Sequence, residues 1–192
     1  DAFFNRLGAS VGEGSFCNAG ATLAYNMTLG NTPGLDPESF VHAKLILIWG
    51  CNIIGSMPHH WPFIREAQKS GARLVVIDPT RSRTGAKADL HIRPHPGTDV
   101  ALAFGIMRYI LQAGNLDSYA DRHIHGLEQL RENVSDFSSQ HVEDITGVPA
   151  EQFLELAKAY ANTPASAIRV GVALERSANG PDAVRAIATL PA

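Results

Sequence analysis

Lys44-Leu45-Ile46-Leu47-Ile48-Trp49-Gly50-Cys51-Asn52 is the stretch that decides the fold. A continuous apolar run that stops at a glycine suits a parallel strand buried on both faces. Roughly 30 residues later the pattern recurs as Arg73-Leu74-Val75-Val76-Ile77-Asp78-Pro79, a separation that matches a βαβ unit. Between the two runs, Trp61 to Ser70 places Trp61, Ile64 and Ala67 on one helical face, and Gly71 suits the position just past a helix end. Such crossovers are nearly always right-handed, so both strands are expected to finish at the same edge of one sheet.

The neighbouring segments extend this alternation. Upstream, residues 13 to 29 read as a helix start, Gly30-Asn31-Thr32-Pro33-Gly34 as a loop, and Asp36-Pro37-Glu38 as the opening of a short helix with proline at its first position. Downstream, Leu90 to Arg93 reads as a third strand, and Asp99 to Ala113 as a long helix ending at Gly114. Leu116 to Ile145 is polar and helical, as two or three short helices. Pro149 to Ala161 carries Phe153, Leu156, Ala157 and Tyr160 at helical spacing. Ala167 to Val170 is a fourth strand, Gly171 to Gly180 a loop, and Asp182 to Leu190 a last helix. The expected fold is α/β: an open, mostly parallel, doubly wound, Rossmann-like sheet with helices on both faces, forming one domain over residues 1–192.

Bulk composition narrows the function. The 192 residues are 45% hydrophobic and 18% charged, as in a folded globular chain rather than a disordered one. A net charge of −3, with 16 scattered Lys and Arg, argues against a nucleic-acid surface and a polybasic membrane anchor. No apolar run approaches the ~20 residues of a membrane span, and no signal-peptide pattern opens the chain. The chain begins at Asp1, so it reads as an excised piece or a processed product of something longer. Two cysteines without C-x-x-C spacing encode neither a disulfide framework nor a zinc or iron–sulfur site. Reduced thiols are expected. The compartment is not fixed by the sequence, although a cytoplasmic one is favoured over a periplasmic one.

Chemistry is expected at the carboxyl ends of the strands, where open α/β sheets bind ligands. Gly50, Asn52, Asp78 and Pro79 all fall there, followed by Thr80, with Gly97 and Asp99 in a third loop, Pro96-Gly97-Thr98-Asp99. Gly50 would let a ligand approach the backbone, and Asn52 offers a donor and an acceptor. Asp78 stands where such folds place a carboxylate for ribose hydroxyls. Asp99 could accept N1–H and N2–H₂ of guanine together, which would select guanine over adenine. Each residue alone is also ordinary turn chemistry; as a set they favour a nucleotide. Neither G-x-G-x-x-G nor a P-loop is present, so the phosphates must be held otherwise. Thr80, Arg81, Ser82 and Thr84 are candidates, with plain polar capping equally in view.

Cys17, in Gly14-Ser15-Phe16-Cys17-Asn18-Ala19-Gly20, sits among small residues at a helix start, where the dipole favours a thiolate. A thiolate there could bind a soft metal or act as a nucleophile, whereas a lone cysteine is more often an inert small hydrophobe. Cys51 takes the inert reading because it follows a buried strand. The histidines, His59-His60, His91, His95, His123 and His125, show no metal-ligand spacing.

Together these pieces resemble the molybdopterin oxidoreductases of the dimethyl-sulfoxide reductase and formate dehydrogenase type. The resemblance rests on Ala43 to Asn52, Pro58-His59, Ala67 to Pro79, Thr84 to Asp89, Arg93 to Asp99 and Ile145-Thr146-Gly147-Val148-Pro149-Ala150-Glu151. It implies a larger enzyme carrying bis(molybdopterin guanine dinucleotide) on molybdenum or tungsten. This chain would be the domain that grips the guanosine end of one of the two pterins. By that likeness Gly50, Asn52, Asp78, Pro79, Thr80, Gly97 and Asp99 are cofactor contacts, and Cys17 is the metal ligand. Asn18 stands where formate dehydrogenases carry a histidine, a departure that tells against formate as substrate. Arg185, in Ala183-Val184-Arg185-Ala186-Ile187, resembles an arginine those enzymes keep near the metal, although a surface role on the last helix weighs nearly the same.

The partners implied are the remaining domains of the parent enzyme and an electron-transfer subunit, with an iron–sulfur cluster upstream if the parent has one. The fragment alone is expected to be inactive. Two rivals stand: a catalytically silent scaffold domain of the same fold, as in the large subunit of respiratory complex I, and a stand-alone nucleotide-binding module. Cys17 argues against the scaffold, which needs no thiol there.

Overall fold

The computed structural model describes residues 2–10, 17–32, 34–114 and 122–191. Four strands form one parallel sheet: β1 (Leu45–Trp49), β2 (Arg73–Ile77), β3 (Leu90–Ile92) and β4 (Ser166–Val170), in spatial order β3-β2-β1-β4. The pairing aligns Trp49 with Ile77 on one side and with Val170 on the other, so three strands finish level. All five β1 side chains are buried, because the strand is central and covered on both faces.

Period-2 alternation divides those side chains between two cores. Leu45, Leu47, Trp49, Val75 and Ile77 face one layer. That layer holds α5 (Asp99–Ala113), α6 (Leu127–Val134), α7 (Ser139–Thr146), α8 (Ala150–Ala161) and α9 (Gly180–Thr189). Ala24, on α2 (Ala19–Leu29), joins it, and α2 packs along α9. Ile46, Ile48, Leu74 and Val76 face the other layer. There lie the 3-10 helix Pro37–His42, the single turn α3 (Ile53–Ser56) and α4 (Trp61–Lys69). A short α1 (Ala2–Arg6) buries none of its residues. The sheet is therefore covered by helices on both faces, as expected.

Most element ends agree with the sequence. Helix α5 runs from Asp99 to Ala113 and is stopped by Gly114 at φ 69°. Asp36 caps the proline-led turn by accepting from the Glu38 N–H at 3.2 Å. Two elements differ. Helix α2 starts only at Ala19, with Asn18 at its cap, so Cys17 precedes the helix by two residues; residues 13 to 16 of the expected helix lie outside the described residues. The segment expected as a loop after β4 contains a 3-10 helix, Val172–Arg176. In the polar stretch, α6 and α7 appear, and residues 115–121 lie outside the described residues. Among the described residues, no helix is long and apolar enough to cross a membrane.

Candidate functional site

The chain leaves β1 towards β2 and β3, then returns to lay β4 on the opposite side of β1. The order therefore reverses between β1 and β4, and their carboxyl ends form the switch point where ligands sit in such sheets. Gly50 and Gly171 end these two strands. Gly50 has φ 61°, and its N–H donates to Ile77 O at 2.8 Å; Gly171 N–H donates to Trp49 O at 2.8 Å. A Cβ on Gly171 would lie 1.9 Å from Gly50 O, so the two backbones touch. A Cβ on Gly50 would meet Leu174 Cδ1 at 2.8 Å. The side of Gly50 where a Cβ would sit is therefore filled from the chain's own 3-10 turn.

Beside it, Trp49 is fully buried and its Nε1–H donates to Asp99 Oδ1 at 2.7 Å. Asp99 opens α5, directly after the turn at Gly97, whose φ is 82°. Burial pushes the Asp99 carboxyl above its usual range; the Trp49 bond and its own N–H pull it down, and the Asp78 charge pushes it further up. Asp78 therefore lies close enough for its charge to be felt at Asp99. A carboxylate has about four lone-pair sites, so one indole bond leaves it room to accept from a ligand.

The other strand-end residues are tied into local turns. Asp78 Oδ1 accepts from Thr80 N–H at 2.8 Å, and the Asp78 carbonyl lies 2.9 Å from His91 Nε2. Pro79 O accepts from Arg93 Nε at 3.2 Å. Asn52 caps α3, and its Oδ1 accepts from Thr84 Oγ1 at 3.0 Å. Thr84 Oγ1 in turn accepts from Ile54 N–H at 3.0 Å. Thr84 is fully buried, so its hydroxyl braces Asn52 instead of meeting a phosphate.

Cys17 and Asn18 are exposed, and the Asn18 side chain makes no capping bond. What caps α2 is Glu175, whose Oε2 accepts from Ala21 N–H at 3.0 Å. Next to it, Arg176 Nη2 lies 3.9 Å from Cys17 Sγ. On the far side of the same segment, Asn179 Nδ2 donates to Gly97 O at 2.9 Å. Residues 174–179 thus touch the start of α2 with Cys17 ahead of it, Gly50 and the Asp99 loop together, contacts that a plain loop over Gly171 to Gly180 does not announce. In sequence Trp49 shows only as the last residue of a strand. Arg185 lies on the exposed face of α9. Cys51 is 7% exposed, and burial pushes its thiol up, in keeping with an inert role.

The architecture is that of the doubly wound α/β class, with a polar edge at its switch point. Comparison narrows it: the chain belongs to the molybdopterin oxidoreductase family, whose description matches residues 1–192. It is 41% identical over 192 residues to the protein named "Probable oxidoreductase YoaE" of Bacillus subtilis, covering 99% of this chain and 28% of that protein. It is 31% identical over 154 residues to the F420-dependent formate dehydrogenase subunit alpha of Methanocaldococcus jannaschii, covering 80% of this chain and 23% of that protein. Acetylene hydratase from Pelobacter acetylenicus superposes with a TM-score of 0.81 at 26% identity, over 91% of this chain and 24% of that one. The chain spans about a quarter of the length of these relatives. Family membership implies a molybdenum or tungsten pterin cofactor.

The residues present fit such a group. An exposed thiol ahead of a helix suits a soft metal already bound by sulfur. The strand edge offers two carboxylates, Asp78 and Asp99, and the Asn52 amide to a polar part of the group.

Proposed function

We propose that this chain is the guanosine-gripping domain of a larger molybdenum or tungsten oxidoreductase whose cofactor is bis(molybdopterin guanine dinucleotide). Asp99 accepts from the guanine edge, Asp78 from the ribose hydroxyls, and Asn52, held by Thr84, supplies a donor and an acceptor. Pro79 and Thr80 shape the wall beside Asp78, and Gly50 and Gly97 turn the backbone so that these groups share one edge. Cys17 ligates the metal, while Asn18 and Arg185 flank the substrate. When bound, the cofactor supplies the two-electron chemistry of oxygen-atom or hydride transfer; the protein supplies position and electrostatics.

The observation that carries the reading is the segment 174–179, which ties the start of the cysteine helix to the Asp99 loop. A single segment that contacts both Cys17 and the Asp99 loop suits a cofactor with a metal at one end and a base at the other. The test is Cys17→Ala in the full-length parent. Activity should fall by two orders of magnitude or more, with guanine nucleotide still bound. Full activity in that variant refutes the ligand role. A parent that binds neither metal nor nucleotide leaves only the scaffold reading.

A further inference from the structure

We propose that Trp49 and Asn179 are positioning residues for base recognition: together they fix the Asp99 carboxylate in an orientation that accepts from N1–H and N2–H₂ of guanine at once. This rests on the reading of Asp99 as the guanine acceptor.

A carboxylate that reads a flat donor pair must present both oxygens in the plane of the base. An aspartate at a helix start is free to turn about its last torsion, which has broad wells. Here one oxygen is pinned. Trp49 Nε1–H reaches Asp99 Oδ1 at 2.7 Å, at the short end for a charge-assisted N–H bond. Trp49 itself cannot move, because it is fully buried at the end of the central strand. The indole thus acts as a stop, built on the fully buried central strand, that sets the carboxylate plane.

The backbone that carries Asp99 is held from the other side. Thr98 Oγ1 donates to His95 O at 2.7 Å, and His95 N–H donates to Thr146 O at 2.8 Å. Asn179 Nδ2 donates to Gly97 O at 2.9 Å, and Ser177 Oγ lies 3.1 Å from Asn179 Oδ1, which fixes the amide. A buried indole N–H needs only one acceptor, and a serine or a carbonyl would have served. The fold instead spends a half-buried carboxylate on it, an arrangement that core packing alone does not call for.

The test compares GMP with IMP, which differ only in the exocyclic N2 amino group. The probes are GMP and IMP themselves, titrated calorimetrically into full-length apoprotein from a host unable to make the pterin cofactor. One charge-assisted hydrogen bond corresponds to a preference for GMP of about 10- to 100-fold in the wild type. Trp49→Phe keeps most of the packing volume and removes the N–H. Its GMP preference should drop to about threefold or less, with IMP affinity changed little. Should Trp49→Phe not fold, Asn179→Ala releases the same loop from the less buried side, and its GMP preference should fall in the same direction. An unchanged preference in a folded Trp49→Phe protein, or in Asn179→Ala when it stands in, overturns the positioning role. Equal binding of GMP and IMP by the wild type sinks the guanine reading itself, and is told apart because the failure precedes any substitution.

Discussion

Gly171→Ala gives the sharpest mechanical test of the strand-end geometry. Gly171 has φ −93° and ψ 154°, a conformation open to any residue, so the substitution adds no backbone strain of its own. The added methyl would lie 1.9 Å from Gly50 O, 2.6 Å from Gly50 C and 2.8 Å from Cys51 Cβ. Real Cβ contacts essentially never fall under 3.0 Å, so β1 and β4 must part by roughly 1 Å at their carboxyl ends. The atoms in the way are backbone in the central strand of a sheet, which no rotamer change can relieve. Overpacking of this kind costs about 3 kcal/mol or more. For a domain of this size that is a fall in Tm of about 6–12 °C. The assay is thermal unfolding followed by circular dichroism, with Gly34→Ala as control, since a Cβ there meets nothing within 4 Å. A Gly171→Ala protein that melts within about 2 °C of the control refutes the contact between the Gly50 and Gly171 backbones.

Other outcomes follow from the same edge. The Asp99 carboxyl sits above its ordinary 3.8 in the folded state, chiefly through burial. The folded state therefore holds that proton more tightly than the unfolded one, and stability falls as pH rises from 3.8 through the raised value. Asp99→Asn keeps an acceptor for Trp49 without the charge. It should melt at or above the wild type at pH 7, lose that advantage as pH drops towards 3.8, and bind GMP at least tenfold more weakly. A variant less stable than wild type at pH 7 contradicts this. Thr84→Val should cost about 2 kcal/mol in urea unfolding, because Asn52 Oδ1 and Ile54 N–H lose a buried partner, while Thr84→Ser should retain most of it. Equal losses in the two variants would place the effect in packing rather than in the hydroxyl.

The fold was legible because its decisive signals are local. Leu45 to Trp49 is apolar without alternation, so it had to be a strand covered on both faces. Helix α5 carried its own stop at Gly114, and Pro37 marked its turn. The candidate site was legible only as a set of strand-end residues, because the contacts that organise this edge are long-range. Trp49 and Asp99 are 50 residues apart, and Glu175 and Ala21 are 154 apart. No periodicity links such pairs. Segment 171–180, expected as a loop, forms a 3-10 turn where Leu174 packs on the open side of Gly50. At Gly50 the positive φ and the Leu174 contact supply a structural reason for glycine that the sequence does not show. Thr84 looked like a phosphate candidate because burial cannot be read from a lone threonine in a polar run; the structure places it at the centre of the Asn52 brace.

The proposal that this edge holds a guanine dinucleotide whose metal is reached by Cys17 carries a stoichiometry. It is tested most directly by metal analysis of the full-length protein together with acid hydrolysis of its cofactor. Molybdenum or tungsten accompanied by about two GMP released per metal is the result expected for two pterin guanine dinucleotides on one metal. Metal with a pterin that releases no GMP, or a protein from a cofactor-competent host with neither metal nor GMP, would contradict it.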